Sequence, residues 1–148
     1  NPPIGHGYDD GIVAAIAVLE MLDRAGDKKL STLVRELPKT WGSPTMSPHC
    51  PDDKKYAVVE ALTKDYEALA AKGETILGQK IKSIVTVNGV RVTLEDGTWC
   101  LVRASSNKPS LVVVVESPTS EENMHAIFKD LDARLTKHPE VGAYDQKI

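Results

Sequence analysis

Asn88-Gly89-Val90-Arg91-Val92-Thr93-Leu94-Glu95-Asp96-Gly97-Thr98-Trp99-Cys100-Leu101-Val102 is the stretch that decides the fold. Asn-Gly is the strongest short hairpin signal, because a two-residue primed turn needs positive φ at both central positions. After it, Val90, Val92 and Leu94 alternate with Arg91 and Thr93, giving a strand with one dry and one wet face. Glu95 to Thr98 reads as a second turn and Trp99 to Val102 as a third strand. Ile81 to Val87 leads into the first hairpin from upstream. Strands joined by such short turns pair antiparallel.

Downstream, Leu111 to Val115 is a continuous apolar run, which predicts a central, covered strand. Thr119 with Glu122 forms a capping-box pattern. Met124, Ile127, Phe128, Leu131 and Leu135 then fall on one helical face, and Pro139 stops the helix. The tail from Glu140 to Ile148 has little to bury and is expected to be loose. Upstream, Asp52 or Asp53 is placed to cap a helix running to about Ala71, with Tyr56, Val59, Leu62, Tyr66 and Leu69 as its apolar stripe and Gly73 as its end. The unit reads strand, helix, four strands, helix. This is an α+β domain, a small, largely antiparallel sheet covered on one side by two helices.

Thr40 to Pro51 contains Gly42, Pro44, Pro48 and Pro51, which rule out a helix. The segment suits an extended edge strand or an interdomain linker. The boundary is placed there, giving residues 1–41 and 42–148 as separate parts. In the first part, Asp9 or Asp10 caps a helix whose residues Ile12 to Leu22 are apolar nearly all round, a pattern that predicts burial on every side. Gly26 ends it, and Ser31 is placed to cap a short second helix stopped by Pro38.

Composition narrows the function. Of the 148 residues 41% are hydrophobic and 26% charged, a globular balance. A net charge of −3 and a pI near 5.8 argue against a general nucleic-acid binder. No apolar run is long enough to span a bilayer, so no membrane partner is expected. Asn1-Pro2-Pro3 lacks the pattern of a signal peptide and reads as a cut within a longer chain. Cys50 and Cys100 stand far apart and in no metal-ligand spacing, which suits a reduced, cytoplasmic setting.

The chemistry concentrates in Arg103-Ala104-Ser105-Ser106-Asn107-Lys108-Pro109, between two apolar strands. The Arg103 fork matches two oxygens of a phosphate. Ser105 and Ser106 bring hydroxyls, Asn107 an amide and Lys108 a positive charge. Successive backbone N–H groups in a tight bend form an anion-binding concavity. No carboxylate interrupts the segment to compete for these donors. On composition alone, a polar connector whose side chains merely satisfy the turn is the favoured reading.

The loop resembles the phosphate-binding loop in the C-terminal domain of the α-D-phosphohexomutases, the phosphomannomutase/phosphoglucomutase type. Arg103, Ser105 and Pro109 fall on that family's Arg-x-Ser-x-Thr-x-Pro pattern, and Asn107 stands where it has Thr. Gly7 to Ile12 resembles the aromatic-Asp-Asp-Gly segment of the family's third domain. Lys55 to Leu62 is similar to the first helix of its fourth domain, and Asn88 to Val92 to its Asp-Gly-Val-Arg-Val hairpin. The resemblance implies the end of domain three followed by a domain four with a TATA-binding-protein-like α+β fold.

It also implies a parent enzyme that moves a phosphoryl group between the 1- and 6-positions of a hexose, with a phosphoserine and Mg²⁺ carried by upstream domains. Domain four would hold the non-reacting phosphate. The implied partners are a hexose phosphate and those upstream domains. The implied contacts here are Arg103, Ser105, Ser106, Asn107 and Lys108, with no catalytic or metal-binding residue and no cofactor in this piece. Gly5-His6 lacks the Glu and Ser of the family's sugar-reading motif. A stand-alone α+β module for a phosphorylated ligand or a protein is the competing reading.

Other residues have plainer explanations. Asp9 and Asp10 suit a helix N-terminus. His49 beside Cys50 lacks further ligands at metal spacing. His125 and His138 lie on or beside a wet helix face, Tyr56 and Tyr66 read as core, Trp99 as core or hairpin packing, and Trp41 as packing near the boundary.

Overall fold

The structure is a computed structural model that describes residues 10–148, so Gly7 to Asp9, with the possible cap at Asp9, and His6 lie outside the described residues. The chain divides into two compact units, Asn1–Pro38 and Lys39–Ile148.

In the first unit, helix α1 spans Gly11–Arg24 and helix α2 spans Leu30–Arg35. Asp10 caps α1: its Oδ1 accepts from the N–H groups of Ile12 (2.8 Å) and Val13 (3.1 Å), satisfying two orphan donors. Gly26, at φ +63°, turns the chain out of the helix. Burial on every side of α1 does not hold: none of its residues is buried, and Ile12 is 74% exposed. Among the described residues, the other helix of this unit is the six-residue α2, too short to cover a helix of fourteen residues. Nor does Ser31 cap α2; the N-cap is Lys29, with no side-chain bond.

The second unit is an α+β domain. Its elements are β1 (Trp41–Gly42), α3 (Lys55–Lys72), β2 (Thr75–Ile76), β3 (Gln79–Val85), β4 (Val90–Leu94), β5 (Trp99–Ala104), β6 (Leu111–Ser117) and α4 (Glu121–Leu135). The strands form one sheet in the order β1-β6-β5-β4-β3-β2, and every pairing is antiparallel. In β5 and β6 burial alternates strictly: Cys100, Val102, Leu111, Val113 and Val115 are buried while Leu101, Val112 and Val114 are half-buried. The continuous apolar run of β6 therefore has one fully covered face, not two.

Helices α3 and α4 pack on that covered face. Val58, Val59, Leu62 and Tyr66 of α3 join Met124, Ile127, Phe128, Leu131 and Leu135 of α4 in one core with the strands. Tyr66 lies at the seam: its hydroxyl is 3.8 Å from the Cys100 sulfur on β5, and the Arg134 guanidinium from α4 sits 5.0 Å from its ring. Burial pushes the Cys100 thiol up to about 12, so it stays protonated as a small apolar filler.

The Pro-rich segment takes the edge-strand alternative. Trp41 and Gly42 pair with Ser117 and Glu116, Met46 bridges to Val113 further along β6, and His49 bridges to Ser110 just before β6 begins. The tail is not loose. Gly142 N–H donates to the His49 carbonyl (2.8 Å), His49 N–H donates to the Ala143 carbonyl (2.9 Å), and Asp145 accepts from Ser47 N–H (2.6 Å). Backbone pairing anchors it where apolar content alone gave no sign.

Three helix details differ from the sequence reading. The N-cap of α4 is Ser120, whose Oγ accepts from Asn123 N–H (3.1 Å); Thr119 is drawn instead toward the second hairpin turn. The N-cap of α3 is Lys54, with no side-chain cap bond, because Asp52 is engaged by Lys55. The face of α3 is rotated slightly: Lys55 and Val58 are buried, while Tyr56 is 64% exposed.

A candidate anion-binding loop

Arg103 and Ala104 are the last residues of β5, and Leu111 opens β6, so the connecting loop is residues 105–110. The register pairs Arg103 with Val112 and Ala104 with Leu111 up to the loop mouth. Ala104 faces the core, so strand alternation puts Arg103 on the sheet face away from the helices. Arg103 is half-buried, and its Nη1 makes one long bond (3.3 Å) to the Ala104 carbonyl. Among the described residues no carboxylate pairs with it.

Gly89 sets the backbone beneath Arg103. It has φ +93°, and a Cβ there would lie 2.2 Å from the Val102 carbonyl oxygen and 2.6 Å from the Arg103 Cβ. Only glycine tolerates both the angle and the approach. The Asn-Gly hairpin thus supports β5 where Arg103 projects.

Within the loop, hydrogen bonds close the base and turn carbonyls inward. Ser105 N–H donates to the Ser110 carbonyl (3.0 Å), and Ser110 N–H donates to the Lys108 carbonyl (2.8 Å). Cys50 N–H donates to the Pro109 carbonyl (2.9 Å). Lys55, 4% exposed, enters from α3: its Nζ donates to the carbonyls of Ser105 (2.6 Å) and Lys108 (3.3 Å) and to Asp52 Oδ1 (2.6 Å). The N–H groups of Ser106 and Lys108 find no protein acceptor among the described residues, and that of Asn107 has only a long bond (3.4 Å) to Ser105 Oγ. Ser106, Asn107 and Lys108 are exposed, and Ser105 is half-buried. An exposed bend with four of its carbonyls, those of Ser105, Lys108, Pro109 and Ser110, engaged and donors left over is suited to an anion.

A cavity of about 350 Å³ opens beside the loop, lined by His49, Lys108, Pro109, Ser110, Tyr144 and Asp145 among others. Among the described residues no group of three or more His, Cys, Asp or Glu side chains is placed to hold a metal ion. His49 instead lies in the edge segment, beside Gly142 of the tail. Trp99 is half-buried on the open sheet face, with the Arg91 guanidinium 4.3 Å from its ring. Trp41 packs against the core of its own unit. Sequence reasoning passed over Lys55. Its one signal was a lysine where the α3 stripe should turn inward, which reads as solvated unless its partners are known.

Residues 49–134 match the family described as phosphoglucomutase/phosphomannomutase, C-terminal domain. A phosphopentomutase of Thermococcus kodakarensis is 31% identical over 121 residues, 82% of this chain and 24% of that protein. A phosphomannomutase/phosphoglucomutase of Pseudomonas aeruginosa is 38% identical over 117 residues, 78% of this chain and 22% of that one. A crystal structure of a phosphoglucomutase/phosphomannomutase family protein from Burkholderia thailandensis superposes with a TM-score of 0.63 at 24% identity, over 93% of this chain and 26% of that one, so the fold is shared. The chain belongs to the phosphoglucomutase/phosphomannomutase family and carries its C-terminal domain. It spans about a quarter of the length of the relatives it matches. No helix among the described residues is long and apolar enough to cross a membrane.

Proposed function

We propose that this chain is the phosphate-gripping part of a longer phosphohexomutase, and that its loop holds the non-reacting phosphate of a hexose phosphate during 1,6-phosphoryl transfer. One observation carries the reading: a loop with the carbonyls of Ser105, Lys108, Pro109 and Ser110 engaged by protein donors, the amides of Ser106 and Lys108 unpartnered among the described residues, and an arginine without a carboxylate partner at its mouth. Arg103 supplies a two-pronged contact, Ser105, Ser106 and Asn107 supply hydrogen-bond donors, and Lys108 supplies charge.

Phosphoryl transfer depends on positioning and charge stabilisation. Binding energy from a remote phosphate orients the reacting one and favours closure around it. The phosphoserine and Mg²⁺ are assigned to upstream domains, and no step is assigned to a metal on the residues described. Those domains and the hexose phosphate are the proposed partners, with neither nucleic acid nor membrane. The free, buried Cys50 and Cys100 suit a cytoplasmic enzyme. The relatives include mutases named for a pentose and for hexoses.

This part alone is inactive: purified, it does not isomerise glucose 1-phosphate or mannose 1-phosphate. In the intact enzyme Arg103→Ala raises KM by about 10- to 150-fold, the equivalent of losing one charge-assisted contact. Isomerisation by the part alone, or unchanged kinetics in the variant, contradicts the proposal.

A further inference from the structure

We propose that Lys55 is a positioning residue for the anion-binding loop, holding its amides in their receptive direction before any ligand arrives. This rests on the phosphate-grip reading above and names what builds the grip. Lys55 opens α3 yet is 4% exposed, an unusual place for an ammonium. Its three donors are all engaged, with Asp52 Oδ1 at 2.6 Å, the Ser105 carbonyl at 2.6 Å and the Lys108 carbonyl at 3.3 Å. Two of the three partners are backbone carbonyls of the loop itself.

The consequence follows from peptide geometry. No peptide bond among the described residues is cis, and in a trans peptide the C=O and the following N–H point in opposite directions. When the Ser105 carbonyl is drawn onto Lys55, the Ser106 N–H is turned away from it. That N–H is one of the loop donors without a protein acceptor. The Lys108 carbonyl is held twice, by Lys55 and by Ser110 N–H, which fixes the far side of the bend. Asp52, 70% exposed at its side chain, balances the ammonium from the solvent side. Lys55 therefore acts on the anion through Ser106, by removing conformations in which the loop turns a carbonyl toward the ligand.

The test is titration of the 148-residue chain with inorganic phosphate, followed by amide and lysine-ammonium NMR. In the wild type, the Lys55 ammonium resonance follows the same binding curve as the Ser106 amide. Lys55→Met, which keeps the stem and removes the donors, weakens phosphate binding about tenfold and gives loop amides 105–108 faster motion in the ligand-free protein. Asp52→Asn, which leaves both carbonyl contacts in place, binds within about twofold of wild type. A Lys55 resonance that stays still while Ser106 shifts overturns the proposal, and needs no variant to fold. So does a folded Lys55→Met protein with wild-type affinity and loop motion, whatever its loss in melting temperature. Wild-type protein that shows no shifts at residues 103–108 overturns the grip itself, a result distinguishable from either.

Discussion

Leu77 stands at φ +54°, followed by Gly78 at φ +75°, in the two-residue turn between β2 and β3. Both central residues of a primed turn need positive φ, and leucine adopts it at a cost of about 1–2 kcal/mol. Leu77→Asn relieves part of that strain, and we expect it to raise unfolding free energy by about 0.5–1 kcal/mol, seen as a higher urea midpoint with unchanged slope. Asp96 is the converse case. Partial burial pushes its carboxyl up, but hydrogen bonds with Gln79, Thr98 and Thr119 outweigh this and hold it below the usual range. Its oxygens accept from Thr98 N–H (2.9 Å), Thr98 Oγ1 (2.9 Å) and Thr119 Oγ1 (3.2 Å), tying the second hairpin turn to the segment entering α4. A carboxyl depressed in the folded state adds stability that is complete above its unfolded value of about 3.9 and is lost as pH falls through the folded value. Asp96→Asn should cost about 1–3 kcal/mol at pH 7, and the gap to wild type should narrow below about pH 4 in denaturant melts.

Among the elements, the β3–β4 hairpin and β5 are locked together through Gly89. Gly89→Ala places a methyl group 2.2 Å from the Val102 carbonyl oxygen and in collision with Arg103, on a backbone angle alanine resists. The expected loss is at least about 2 kcal/mol by thermal or urea unfolding, accompanied by weaker phosphate binding because Arg103 is displaced. Local pattern made these elements legible in the sequence. The alternation Val90/Val92/Leu94 and the α4 stripe each report a periodicity that the fold obeys, and Asn88-Gly89 marks the β3–β4 turn, although only Gly89 takes positive φ there and the turn is longer than two residues because the last pair is Val85 with Arg91. What remained hidden depends on partners distant in sequence. The Pro-rich segment becomes an edge strand only because β6 offers it unpaired carbonyls and amides, and the tail is ordered by bonds to Ser47 and His49. No period of 2 or 3.6 encodes such pairings. The shift of the α4 cap from Thr119 to Ser120 has the same origin, since Asp96 and Ser117 draw Thr119 away.

For the whole molecule, the second unit is a scaffold that presents one polar bend on a sheet buried on its helical face. The loop stands out in the sequence as a donor-rich run between two apolar strands, but its composition alone favours a plain connector, and only the family resemblance points to a phosphate. Lys55 was not legible, because fifty positions separate it from Ser105. In α1, apolar composition was read as burial, yet Ile12 and Leu19 stand exposed, since composition says nothing about which surface meets them. The central claim is that residues 103–108 clasp a phosphate. Its most direct test is the amide NMR spectrum of this chain titrated with glucose 1-phosphate. A few charge-assisted bonds, less the cost of association, predict saturable shifts confined to Arg103, Ser105, Ser106, Asn107 and Lys108, with Kd on the order of millimolar and lost in Arg103→Ala. A spectrum unmoved at those residues, or shifts that persist unchanged in Arg103→Ala, contradicts it.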